Sequence, residues 1–421
     1  MRQLWAYVAL SVLACGDAAA NGEAINGFPN WQERVMHQWT NRARADPQVE
    51  MMACGAACSE GACYTPKPPL PWSQNLNHAA RFHSDEMAAQ GYFAHDSRCA
   101  LVANINTIYP GTCQGAASCA CQASGAPTSW SARVGLFGAN PSGEIIASGS
   151  DPNGAFYQWL YETFNQTTCA YVQGPPTNGH RWNILMAGPA IGYGAGSGAS
   201  VGDFGNGGGA ATKLVSGAHY PRMGATVNAW ASWYDTAGPM QALINVDGTC
   251  SAMTLGRGSV TNGAYTRALT GLATGCHRYF FLFKDSTGAT ITYPTTGSLG
   301  IGPAATCADW DTSRPPTGAG CMCTPDCAGK ACGDDGCGGS CGDCAAGGTC
   351  VANQCAFAND AGVDAPDTSG GDAGGDGDGG TTNPGMGDGG GCGCASGDGG
   401  GWSLLGGLGV LVLALRRRTT R

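Results

Sequence analysis

The chain has 421 residues, 70 of them glycine, and only 12% are charged, which is too long and too uneven for one compact domain. A net charge of −9 offers no basic surface, so nucleic acid is excluded as a partner. Much of the acid is gathered in one tail (Asp360, Asp364, Asp367, Asp372, Asp376, Asp378 and Asp388), leaving the folded part close to neutral.

In chain order, Arg2, the apolar run Leu4 to Ala14 and the small residues Ala18-Ala19-Ala20 read as a signal peptide over residues 1–20. Cleavage after Ala20 is favoured over a lipoprotein-type cut at Cys15, because Val12 and Leu13 sit poorly in a lipobox. The 23 cysteines agree with export to an oxidising compartment. Without Cys15, Cys392 and Cys394 their number is even, as full pairing requires.

Trp31, Val35, Met36, Trp39 and Ala43 recur at helical spacing, as do Leu76, Ala79, Ala80, His83, Met87 and Ala88. His83 lies on the apolar face of the second helix and is expected in the core. The loop between the helices carries Cys54, Cys58 and Cys63 among four prolines. With Cys99, Cys113, Cys119, Cys121 and Cys169 these make four bridges, whose pairing spacing does not fix. Phe156 to Phe164 reads as a third helix with Phe156, Trp159, Leu160 and Phe164 inward. This first domain spans residues 25–210 and should end near the glycine-rich run Gly192 to Gly209.

From Lys213 the texture changes to short β runs. Val227 to Trp233 alternates, Tyr279 to Phe283 reads as a buried strand, and Asp285-Ser286-Thr287-Gly288 turns it into a hairpin with Ala289 to Tyr293. Residues 213–305 are expected to form a small Ig-like β-sandwich, a spacer or binding module, with Cys250 and Cys276 paired across it and no bridge between domains. Residues 307–357 hold ten cysteines with little apolar side chain and read as a disulfide-rich module. The Cys341-x-x-Cys344 spacing is that of a zinc ligand pair, but no histidine lies in the segment and an oxidising compartment would pair its thiols.

Residues 358–391 are rich in glycine and aspartate, with threonine and proline and no aromatic or basic residue, and read as a disordered, self-repelling linker. In residues 392–421, Cys392 and Cys394 precede an apolar stretch, Trp402 to Leu415, and then Arg416-Arg417-Arg418. The stretch is shorter than the roughly twenty residues that span comfortably, and the membrane is expected as a partner only through it. The ending resembles the Myxo-CTERM sorting signal, which implies processing at the cysteine and display on the cell envelope or release.

Two Gly-x-Ser-x-Gly matches, Gly198 to Gly202 and Gly338 to Gly342, fall where no strand leads into a helix, so neither is a hydrolase elbow. The chemistry rests instead on His95, Glu144, Glu162 and His180. Two imidazoles and two carboxylates can hold a divalent cation or pass protons. Spacing alone does not require that they meet.

The words around them do form an ordered set: Asn41 to Arg44, the Leu76 to Met87 helix, Phe93-Ala94-His95, Gly143-Glu144, and Gly179-His180-Arg181-Trp182-Asn183-Ile184-Leu185. In this order they resemble the CAP family (the SCP or pathogenesis-related-1 superfamily) over about residues 25 to 210. The resemblance implies an α-β-α sandwich over those residues and says nothing of the β-sandwich and disulfide-rich module expected after it. It further implies one cleft shared by the four residues, with His95 and His180 as ligands of weakly bound zinc or another divalent cation. Glu144 and Glu162 would then polarise water or fix the imidazoles. The expected function is an extracellular or cell-surface protein that binds a small molecule, lipid or protein partner in this cleft. The alternatives are a metal-dependent, protease-like hydrolase using His95, Glu144, Glu162 and His180 as its catalytic set, and a structural surface module.

Overall fold

The computed structural model describes residues 28–109, 120–149, 151–164, 166–196, 199–313, 321, 327–333 and 340–357. The signal peptide, Cys113, Cys119, the acidic linker and the C-terminal stretch Trp402 to Leu415 lie outside them. Among the described residues no helix is long and apolar enough to cross a membrane.

The first helix, α1 (Trp31–Ala45), starts at a capping box: the Asn30 side chain accepts from Glu33 N–H, and the Glu33 carboxylate accepts from Asn30 N–H at 2.9 Å. Arg42 and Arg44 in its last turn suit the negative end of the helix dipole. A short α2 (Pro47–Met51) leads through the cysteine loop to α3 (Gln74–Gln90), capped by Ser73 and ended by Gly91 in the left-handed conformation at φ 64°. Then come α4 (Ile105–Ile108), α5 (Trp130–Leu136), strand β1 (Pro141–Ser148), α6 (Pro152–Leu160) and α7 (Gly179–Met186). The third helix thus ends at Leu160, and Phe164 is buried separately, bridging to Cys58.

The glycine-rich run near the end of the first domain is largely strand. It forms β2 (Ala190–Ala195) and β3 (Ala199–Gly205), and β3 is the centre of an antiparallel sheet of order β1-β3-β2. Alternate residues of β2 face opposite sides. On one side Tyr193 reaches Thr40 of α1 at 2.6 Å and stacks on Trp159 of α6. On the other, a Cβ at Gly192 would stand 2.0 Å from the Asn77 nitrogen, and one at Gly194 2.2 Å from the Ala80 carbonyl carbon. Glycine is therefore what lets α3 lie directly on the sheet, and helices cover both of its faces.

Two further antiparallel sheets share one core. The first runs β4-β5-β9-β8, from β4 (Lys213–Tyr220), β5 (Thr226–Tyr234), β8 (Thr254–Gly258) and β9 (Asn262–Thr270). The second runs β13-β12-β10-β6-β7, from β6 (Gln241–Val246), β7 (Thr249–Ala252), β10 (His277–Lys284), β12 (Ser298–Ile301) and β13 (Trp310–Asp311). Strand β11 (Thr290–Tyr293) makes the expected hairpin with β10. Val227, Ala229, Ala231 and Trp233 of β5 meet Tyr279, Phe281 and Phe283 of β10 between the sheets.

This part is not a detached spacer. Alpha1 is buried on its polar face as well, where Gln38 donates to Ser232 at 2.9 Å and Asn41 to Ser216 at 3.1 Å. Trp31 Nε1 donates to the His219 carbonyl, and its backbone N–H to Asp309, both at 2.9 Å.

The disulfides correct the expected partition. Cys250 pairs with Cys321 and Cys276 with Cys307, not Cys250 with Cys276. Even numbers in each segment permit pairing within segments but do not enforce it. Here the chain leaving β12 returns past the start of β10, which brings Cys307 to Cys276. Two cysteines assigned to the later module therefore clamp the sheets. Cys54–Cys58, Cys63–Cys169 and Cys99–Cys121 tie the helical part. Cys327–Cys341, Cys332–Cys350 and Cys344–Cys355 hold the last module around the hairpin β14 (Gly348–Val351) and β15 (Gln354–Phe357).

Candidate functional site

One side of the site is built from the segment after α3. Gly91 turns the chain, and buried His83 donates through Nε2 to the Ala94 carbonyl at 2.8 Å, fixing the stretch that carries His95. Glu144 projects from β1 on the side facing α3 and α5. Its Oε1 lies 2.8 Å from His95 Nδ1, and its Oε2 accepts from Arg133 Nη2 of α5. Nη1 of Arg133 also donates to the His95 carbonyl at 2.9 Å and to Ser97 Oγ at 3.1 Å. One fully buried guanidinium thus fixes both the carboxylate and the backbone of its histidine. Burial alone would push Glu144 up, but Arg133 and the His95 hydrogen bond outweigh it and hold the carboxyl at about 2.

The opposite side has a parallel construction. His180 opens α7, and its Nδ1 lies 3.0 Å from Glu162 Oε2. That contact is off the hydrogen-bond axis, so this buried oxygen receives no hydrogen bond. The other oxygen, Oε1, accepts from Arg181 N–H at 2.8 Å. The Arg181 guanidinium, fully buried, donates to the Leu160 carbonyl, the Glu162 carbonyl and Glu60 Oε1. Glu60 is held in turn by Tyr64 Oη at 2.5 Å and Asn178 Nδ2 at 2.8 Å.

Both pairs open onto one cleft of about 860 Å³. His95, Glu144, Glu162 and His180 all line it, so the structure brings together the four residues read from the sequence. The carboxylates are sunk and the imidazoles face outward, with side chains 47% exposed for His95 and 32% for His180. The Glu144 carboxylate at His95 Nδ1 favours the tautomer protonated there and leaves the His95 Nε2 lone pair for the cleft. Trp130, Tyr171 and Trp182 supply the apolar wall, and no lysine or arginine lines it among the described residues. Gly143 leaves room for the Asn183 side chain at the floor, since a Cβ there would stand 2.2 Å from Asn183 Oδ1 and displace that amide.

Sequence reasoning missed Arg133, Glu60 and Asp203. Arg181 stands inside a recognised word, whereas Arg133 and Asp203 acquire partners only when α5 and β3 are folded against β1. Asp203 is the direct cross-strand partner of Glu144 and is fully buried.

The donor set bears on a metal. Two imidazoles suit zinc or a similar divalent ion, but two protein ligands leave a site short of the usual three or four. Among the described residues, the set of three or more His, Cys, Asp or Glu donor atoms that lies within 4.8 Å of one another is Cys332, Cys344 and Cys355. All three are engaged in disulfides, which removes the thiolates a metal needs.

No protein-family model matches the chain, and no curated protein matches it.

Proposed function

We propose that this is an extracellular or cell-surface protein of the CAP type, which binds a ligand in the His95/Glu144/Glu162/His180 cleft. The observation that carries the reading is the convergence of two separate histidine–glutamate pairs on one aromatic-walled cleft. Helices on both faces of a three-stranded sheet support the CAP assignment, and the two core-sharing sheets support an Ig-like module. The disulfides favour an oxidising compartment. His95 and His180 would hold a divalent cation weakly, with water completing its shell. A bound cation would act there as a Lewis acid, while Glu144 and Glu162 orient the imidazoles and Trp130, Tyr171 and Trp182 contact the ligand.

A protease-like hydrolase would use the same residues, and the misaligned Glu162–His180 contact is the observation in its favour, since catalytic hydrogen bonds often tighten only with substrate bound. Elemental analysis of purified protein beside a peptide-library digest separates the readings. Binding without turnover predicts substoichiometric metal and no cleavage. Cleavage that is lost on chelation and in His95→Ala would replace the binding reading with the hydrolase.

A further inference from the structure

Behind Glu144, where no ligand reaches, a second carboxyl is buried without a donor. Asp203 lies on β3 directly opposite Glu144 on β1, is fully shielded from solvent, and receives a hydrogen bond at neither carboxyl oxygen. The charged groups that face it are Glu144 itself and Arg133, and the guanidinium is already committed to Glu144, the His95 carbonyl and Ser97. Two adjacent buried carboxyls cannot both ionise when a single cation serves them.

We propose that Asp203 is a positioning residue, which stays the neutral acid at pH 7 and donates a hydrogen bond to Glu144, holding that carboxylate on His95. The inference rests on the reading that the His95–Glu144 pair belongs to the working cleft. It assigns a role to a residue that touches neither ligand nor metal. The division of labour follows from surroundings. Glu144 has Arg133 and His95 as donors and keeps the charge, whereas Asp203 has no donor and keeps the proton. In agreement, burial first and then the Glu144 charge drive Asp203 well above the ordinary carboxylate range. An Asp203 that instead carried a charge would push Glu144 off His95 and leave a buried anion uncompensated, which is costly. A proton donor supplied from the strand behind lets Glu144 accept from three sides, so that its only freedom is toward the cleft.

The test uses the full chain without added metal, so a failure of the metal-binding reading leaves its outcome readable. Infrared difference spectra at pH 7 between the parent and Asp203→Asn should show the carbonyl stretch of a protonated carboxylic acid in the parent alone. Nitrogen-15 spectra of the histidine rings supply the second readout. Asp203→Asn keeps a donor toward Glu144 and should leave the His95 Nδ1 signal in place, whereas Asp203→Ala should move it toward that of a mixed tautomer. A parent without the acid band overturns the proposal, as does an Asp203→Ala variant whose His95 signals match the parent. Should the alanine variant fail to fold, the infrared comparison decides alone.

Discussion

Arg133 and Arg181 anchor the two walls of the cleft in different ways: the Arg133 guanidinium holds the Glu144 carboxylate and the His95 carbonyl, whereas that of Arg181 holds Glu60 and the Leu160 and Glu162 carbonyls, and the Glu162 carboxylate accepts from the Arg181 backbone N–H. Removing one partner of a buried ion pair leaves the other uncompensated. Arg133→Leu is therefore expected to lower stability by about 3–5 kcal/mol in chemical denaturation. The acid limb of stability follows from the same pair. Glu144 sits at about 2, below the ordinary value near 4.3. Its contribution is present above that ordinary value and is lost as pH falls toward about 2. Asp203 has the opposite sign: raised in the folded state, it costs stability as pH climbs through its elevated value. Asp203→Asn should thus gain on the parent with rising pH, and denaturation curves over a pH series will show whether the gap widens. His95, Glu144 and His180 were legible because each stands in a short recognisable word, and Glu162, which stands in none, was read only as the fourth member of their set. Asp203 was not, because nothing in Val201-Gly202-Asp203-Phe204 marks which residue will face it across the sheet.

At the scale of elements, periodicity revealed α1 and α3 correctly but described only half of what buries α1. The spacing of Val35, Met36, Trp39 and Ala43 shows an apolar stripe but gives no sign of what pairs with Glu33, Gln38, Asn41 and Arg42 between those positions. In the fold Glu33 pairs with Arg81 of α3 and Arg42 with Glu50 of α2, while Gln38 and Asn41 are covered by β5 and β4 and pair there with Ser232 and Ser216. A chain ending after Gly209 would leave Gln38, Asn41 and the apolar surface around Trp31 exposed. It is expected to be poorly folded by near-ultraviolet circular dichroism, whereas a chain ending after Cys321, which keeps Cys250 paired, should retain the native signal. The glycine-rich run concealed two strands for a related reason. Glycine weakens strand propensity in general, yet at Gly192 and Gly194 it is the only residue that admits α3. Gly194→Ala should cost about 1–3 kcal/mol or more, since the added methyl meets backbone that has no rotamer to yield.

For the whole molecule, the cysteine count announced an oxidised, cross-linked protein, but pairing depends on which strands become neighbours. Peptide mapping of the unreduced protein should find Cys250 with Cys321 and Cys276 with Cys307. The cleft is likewise a product of the whole fold, joining His95 after α3, Glu144 on β1, Glu162 after α6 and His180 on α7. Its central claim, that the two imidazoles act on one bound cation, is tested most directly by calorimetric zinc titration of the parent beside His95→Ala, His180→Ala and Glu144→Gln. The parent should bind weakly, and less well on acidification, because a protonated imidazole cannot be a ligand. Either alanine variant should lose nearly all the binding, and Glu144→Gln should lose roughly 10–100-fold, the loss expected for a residue that orients a ligand. Unchanged affinity in His95→Ala would contradict the account and leave the cleft as a plain binding groove.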